Sequence, residues 1–155
     1  MRRRFLLLMS LFLALGASPA GGSDVGMLRT AGAEEVELLN GVGYASIARR
    51  GTLLTRVGHG RIVVRDLPGG TPPTVRCDRR GTRVSATTVV YRGYGVSCRV
   101  SGGPWRTSLR GRNIDASAIV RGSLALDGGS GWFRIGDRPW RRWPLTLRQY
   151  TLGLG

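Results

Sequence analysis

From Val36 onward, apolar and polar residues alternate in short runs, and glycines interrupt these runs at steps of 7 to 12 residues. A strand sends successive side chains to opposite faces, so alternation with period two indicates half-buried strands. The arginines fall mostly between the apolar positions and are predicted to point outward. The predicted inward residues are Ile62 and Val64; Val96, Cys98 and Val100; Trp105, Thr107 and Leu109; Ile114, Ala116, Ala118 and Val120; Leu124 and Leu126; Phe133 and Ile135; and Leu145 and Leu147.

Short strands at this spacing are typical of all-β proteins. We predict that residues 36–155 form a single β domain, a small antiparallel sandwich or barrel of glycine-punctuated strands. Asn40-Gly41 is predicted to form a hairpin turn, because both residues accept a positive φ. The alternative is a short β-helix, in which each rung would take about 20 residues, or two glycine steps, although only Arg-Gly pairs recur along the chain.

The N-terminal segment has the order of a secretory signal peptide. Three arginines, Arg2 to Arg4, precede an apolar run from Phe5 to Leu15, and small residues follow it. We predict a helical signal peptide over 1–20 and a flexible lead-in over 21–35, so that the protein is secreted or held in the cell envelope. The alternative is an uncleaved anchor, but the apolar run is shorter than the roughly 20 residues that span a bilayer.

The chain contains two cysteines, which in an exported protein predict one disulfide. Cys77 alternates with Val75, and Cys98 lies between Val96 and Val100, so both sulfur atoms should face the apolar side. A Cys77–Cys98 bridge would stabilise the fold by roughly 3 kcal/mol. A redox role would favour C-x-x-C spacing, which the sequence lacks.

The charge is strongly basic: 24 arginines and no lysine stand against 9 acidic residues, and the formal net charge is +15. Guanidinium groups bind phosphate, sulfate and carboxylate groups in bidentate fashion, and a positive field attracts polyanions. Codon bias in a GC-rich genome would also raise arginine and glycine together. With either origin, the surface should bind anionic envelope polymers, and nucleic acid only nonspecifically, with strong salt dependence.

No catalytic arrangement emerges from the sequence. His59 is the only histidine, lies between two glycines, and is accompanied by no G-x-S-x-G nucleophile motif. One histidine, two bridged cysteines and scattered carboxylates predict no metal site and no cofactor. We therefore expect a protein that is not an enzyme.

The local feature with the clearest binding chemistry is a C-terminal cluster of tryptophans and arginines from Trp132 to Trp143, whose last four residues lie between Pro139 and Pro144. Indole faces beside guanidinium groups can stack on sugar rings or bases. The prolines indicate an edge strand or an irregular loop. The alternative is that the tryptophans cover an end of the core. The candidate ligand platform comprises Trp132, Arg134, Trp140, Arg141, Arg142 and Trp143.

The segment from Gly81 to Gly128 is similar to uncharacterised exported Gly/Arg-rich all-β proteins of actinobacterial type. The similarity is carried by four motifs: Tyr91-Arg92-Gly93-Tyr94-Gly95, Val100-Ser101-Gly102-Gly103, Ile114-Asp115-Ala116-Ser117-Ala118 and Gly122-Ser123-Leu124-Ala125-Leu126-Asp127-Gly128. This resemblance implies a bacterial envelope setting and adds no site residue.

Taken together, these features predict a noncatalytic exported β domain of the bacterial cell envelope that acts by binding through its basic surface. The expected partner is an anionic envelope polymer or an envelope protein, and no transmembrane span is expected in the mature chain. Two alternatives remain open at this point: a secreted carbohydrate-active or hydrolytic enzyme, and a purely structural envelope protein.

Overall fold

The computed structural model describes residues 32–153, which form strands joined by turns and contain no helix. The predicted signal peptide (1–20) and most of the predicted lead-in (21–35) lie outside the described residues. The first strand begins at Glu34, two residues before the predicted start of the β domain.

Two long strands dominate the fold. In chain order the elements are β1 (Glu34–Asp66), β2 (Thr74–Cys77), β3 (Thr82–Ser85), β4 (Thr88–Ile135), β5 (Arg141–Arg142) and β6 (Arg148–Leu152). All belong to one sheet, in which β1 pairs antiparallel with β4 and the four short strands pair with β4.

β1 pairs with β4 along both of its edges. Gly111 of β4, for example, pairs with Gly43 and also with Gly60, which are 17 residues apart in β1. A residue can have two partners so far apart in one strand only if the strands coil. The two long strands therefore wind around a common axis and meet again after each turn of the coil.

Each turn of the coil passes through two layers. Layer A contains spans 34–41, 52–58, 94–101, 113–120 and 132–135, and layer B contains spans 44–50, 61–66, 88–92, 105–110 and 122–127. Within these spans, every residue pair joins two spans of the same layer. β2 and β5 extend layer A at its two edges, and β3 and β6 extend layer B.

Glycines with positive φ form the corners at which the strands cross between layers. At Gly60, φ is +149°, and a Cβ there would lie less than 3.0 Å from the backbone of Arg110 and Gly111. Only glycine meets both constraints. Corner 1 contains Gly43, Gly60, Gly93, Gly111 and Gly131, and corner 2 contains Gly51, Gly102 and Gly122.

A single core fills the space between the layers. The buried positions of β1 change parity at corner 1, from Leu53 and Val57 to Ile62 and Val64, so both layers send apolar side chains to the same interior. Trp105 is the largest fully buried side chain. The predicted inward faces are confirmed for every run except Leu145 and Leu147.

Leu145 and Leu147 are 82% and 63% exposed, so the prediction that they face the core is wrong. They lie in the bend between β5 and β6, which follows Pro144. A proline cannot donate to a ladder, and two alternating residues are too few to indicate a strand.

The predicted all-β class and antiparallel pairing are confirmed. The sheet is not closed into a barrel, and its two layers around one core correspond to the predicted sandwich. The antiparallel pairing differs from the parallel rungs of a β-helix. The predicted hairpin at Asn40-Gly41 is wrong: Asn40 does have a positive φ of 50°, but β1 continues through it with an irregular register toward corner 1.

The predicted disulfide is present. Cys77 and Cys98 are directly paired between β2 and β4, and their sulfur atoms are bonded. The bridge ties the short edge strand β2 to layer A and partly covers the core beneath it.

Candidate anion-binding face

The outward side of layer B carries a group of arginines that the register places side by side. Arg61 pairs directly with both Arg92 and Arg110, and Arg65 pairs directly with Arg106. Directly paired residues in an antiparallel sheet point to the same face. All five side chains are exposed. We call this group, Arg61, Arg65, Arg92, Arg106 and Arg110, the arginine face.

The spans of layer B contain two carboxylates. Asp66 has the parity of the inward residues Ile62 and Val64, whereas Asp127 pairs with Tyr44 and therefore shares the outward side with Tyr44 and its other partner, Arg110. Neither forms an ion pair with an arginine in the described part of the chain. Like charges that face each other across strands repel, so this arrangement costs stability in the absence of an anion.

At corner 1 the arginine face leads into a groove of about 790 Å³. The guanidinium of Arg110 lies 5.6 Å above the centre of the Tyr44 ring, a cation–π contact that holds it in place. Three glycines also line the groove, and none of its lining residues in the described part of the chain is a carboxylate. The charged or titratable residues that line this corner 1 groove are His59, Arg61, Arg92, Arg110 and Arg112.

At corner 2 a second cleft, of about 890 Å³, is lined by Arg49, Arg50, Arg106 and Arg121. The other polar side chains in its wall, Ser123, Gln149 and Thr151, are neutral, and no carboxylate of residues 32–153 lines this cleft. Hydroxyl and amide groups can donate hydrogen bonds to an oxyanion alongside the guanidinium groups. We call it the corner 2 cleft.

Arg50 has a second role in the corner 2 cleft. Its Nη2 donates a hydrogen bond of 2.9 Å to the carbonyl oxygen of Gly69. This contact ties the loop after β1 to the wall of the cleft. Arg50 is therefore held by the backbone of this loop, whereas Arg49, Arg106 and Arg121 form no ion pair among residues 32–153.

The outward side of layer A is different because its charges are mixed. Glu37 forms an ion pair with Arg134, and Glu34 lies 3.9 Å from Arg138. Asp115 accepts a hydrogen bond of 2.8 Å from the backbone N–H of Asn40. Carboxylates thus stand among the arginines of layer A, and the positive field is concentrated on layer B.

Four residues of the predicted ligand platform lie together on layer A. Trp132 pairs with Arg142, whose guanidinium is 5.2 Å from the centre of the Trp132 ring. The guanidinium of Arg134 is likewise 5.2 Å from the centre of the Trp140 ring. We call these four residues the tryptophan–arginine ladder. Each exposed indole already has an arginine of the protein on it, which leaves less ring surface for a ligand.

The other two platform residues lie apart from the ladder. Trp143 is 3% exposed and belongs to the core, and its Nε1 donates a hydrogen bond of 3.4 Å to the carbonyl oxygen of Asp127. Arg141 pairs with the buried Phe133, so it lies on the opposite side of β5 from Arg142, which belongs to the ladder. Trp143 therefore covers an end of the core, which was the alternative considered for these tryptophans.

Two further features bear on chemistry. His59 is exposed, and its ring centre lies 4.6 Å from that of Tyr94. Within residues 32–153, no three His, Cys, Asp or Glu side chains are grouped so that they could hold a metal ion. In the same part of the chain, no helix has the length and apolar character needed to cross a membrane.

Comparison of the chain with protein-family models, with curated proteins and with solved structures finds no match.

Proposed function

We propose that this protein is a noncatalytic exported domain that binds anionic polymers of the bacterial cell envelope through the arginine face together with the corner 1 groove and the corner 2 cleft at its two ends. The observation that carries the proposal is the separation of charge between the layers. Within residues 32–153 the arginines of layer B form no ion pair, whereas the arginines of layer A stand among carboxylates. The disulfide supports an oxidising compartment outside the cytoplasm.

The two concave sites favour binding over simple surface charge. A recess lined by charges of one sign concentrates the field and raises the local concentration of the opposite ion. Arginine adds geometry to this field, because its planar fork matches the oxygens of a phosphate, sulfate or carboxylate group. An anion in either recess would also relieve the repulsion among the guanidinium groups.

The test is retention of the purified protein on heparin and teichoic-acid matrices over a range of salt concentrations. We expect retention to fall steeply with salt, since each ionic contact releases counterions. Arg49→Gln/Arg121→Gln, in the corner 2 cleft, should elute at clearly lower salt than the wild type. The matched control is Arg76→Gln/Arg99→Gln, which removes the same charge from an exposed, directly paired arginine couple on layer A.

Thermal denaturation gives a second, independent measurement. Because the arginines of the corner 2 cleft repel one another, Arg49→Gln/Arg121→Gln should raise the Tm without anion and reduce the further rise that heparin produces. Equal retention of both double variants and the wild type would contradict the proposal. Turnover of either polymer by the purified protein would contradict its noncatalytic part.

A further inference from the structure

The corner 1 groove and the corner 2 cleft are joined by one side of layer B. Arg106 lines the corner 2 cleft and Arg110 lines the corner 1 groove, and both lie on the same span of β4. Arg65 and Arg61 have the same spacing on the neighbouring span of β1. Four residues of extended strand correspond to about 13 Å, so the two basic recesses lie within reach of one ligand chain.

Among residues 32–153, the strip between the two arginine rows carries no acidic side chain. Its outward positions are the half-buried Val63 and Ser108 and the buried Ser46, which are adjacent across three spans. The hydroxyl groups of Ser46, Ser108 and Tyr44 form a chain of contacts of 3.4 Å. A polymer lying along this strip would meet neutral and hydroxyl groups in the middle and guanidinium groups at both ends.

Exposed aromatic rings are scarce on this side. The ring of Tyr44 lies under Arg110, and the exposed ring of Tyr94 contacts His59, which lines the corner 1 groove, at a tilt of 50°. Trp132 and Trp140 lie on layer A. Single-stranded nucleic acid is usually held by bases stacked on free aromatic rings as well as by basic groups. The arrangement therefore favours a polymer without bases.

We propose that the ligand is a linear, base-free polymer of repeating oxyanion groups, which lies along the strands of layer B and occupies the corner 2 cleft and the corner 1 groove at the same time. This inference rests on the proposed function and goes further by naming the class and the path of the ligand. When one segment of a chain is bound, the next segment reaches the second site at millimolar effective concentration. Affinity then depends on chain length.

The experiment uses inorganic phosphate, tripolyphosphate and long-chain polyphosphate as probes, titrated calorimetrically against the purified protein at fixed salt. Long-chain polyphosphate should bind about 10²-fold more tightly per phosphate than tripolyphosphate, because only the long chain spans both recesses. Arg61→Gln/Arg110→Gln and Arg49→Gln/Arg121→Gln should each abolish this length-dependent gain. Arg76→Gln/Arg99→Gln on layer A should preserve it.

The outcomes separate this inference from the proposed function. If long-chain polyphosphate binds but the layer B variants weaken tripolyphosphate and long chains by the same factor, the recesses act independently and the bridging path is wrong, while polyanion binding stands. If no polyanion binds, both proposals fail. A single-stranded DNA of matched charge that binds more tightly than polyphosphate would overturn the assignment of a base-free ligand.

Discussion

Gly60 and Gly111 face each other across neighbouring strands at corner 1, and neither position has room for a side chain. A Cβ on Gly60 would collide with the carbonyl of Arg110, and a Cβ on Gly111 would collide with the carbonyl of His59. The two backbones approach this closely where β1 and β4 cross from one layer to the other. This contact holds the corner that brings Arg61 and Arg110 side by side.

Gly60→Ala should therefore destabilise the protein strongly. Forcing an alanine into a positive φ costs on the order of 1–3 kcal/mol, and the collision with the Arg110 carbonyl adds to this cost. Gly102→Ala is the control, because Gly102 also has a positive φ but a Cβ there would meet nothing within 4 Å. Urea denaturation should give a larger loss of unfolding free energy for Gly60→Ala, and equal losses would contradict the role assigned to the corner contact.

Removing the Cys77–Cys98 disulfide should lower stability by about 3 kcal/mol, because the bridge restricts the unfolded chain. Cys77→Ala/Cys98→Ala and the reduced wild type should show similar urea midpoints, both below that of the oxidised wild type. Since β2 is an edge strand held by four residue pairs, the segment between β1 and β2 should also become more sensitive to protease. A reductant should leave the double variant unchanged, and an unaltered midpoint in that variant would contradict a stabilising role.

The tryptophans of the C-terminal cluster should differ in how much they contribute to the stability of the fold. Trp143→Ala removes a buried ring and should cost about 3–5 kcal/mol. Trp132→Ala removes a ring that is 42% exposed and in contact with Arg142, so its cost should stay near 1 kcal/mol or below. Thermal denaturation of the two variants measures this difference. A similar loss in both would show that the tryptophan–arginine ladder is as important to the fold as the core.

Arg141→Ala/Arg142→Ala tests the predicted ligand platform against the arginine face. We expect this variant to lose some retention on heparin through its lower net charge, with little change in the slope of retention against log salt. Arg61→Gln/Arg110→Gln should lower that slope by about 1–2, because it removes direct ionic contacts. If the platform variant instead lowers the slope as much as the face variant does, the ligand site lies at the C-terminal cluster.

The local part of the fold, that is, which side chains of a strand face the core, could be predicted from the sequence. Alternation identified the inward residues Trp105, Thr107 and Leu109 because a strand has the same period whether it is short or long. The coil could not be predicted in this way, because a glycine with positive φ is needed both at a turn that ends a strand and at a corner through which a strand continues. The glycines are therefore predicted to separate short strands, whereas β1 continues through Gly60.

The candidate site could not be predicted from local sequence, because it is formed by residues that are far apart in the chain. The alternation predicted correctly that Arg61 and Arg110 point outward, but their adjacency depends on pairing between residues far apart in the chain. The spacing of arginines four apart, at 61 and 65 and again at 106 and 110, was the available signal. Trp143 was grouped with Trp132 by proximity in sequence, yet the crossing after β5 carries it into the core.

The 17-residue offset between the two partners of Gly111 also constrains how such a molecule tolerates insertions and deletions. A single residue added between corners would exchange the inner and outer sides of the strand beyond it, so that Arg65 would enter the core and Val64 would leave it. Growth by a complete period in both β1 and β4 would keep every side chain on its present side. Changes in length are thus compatible with this architecture only in whole periods, and each added period would widen both layers.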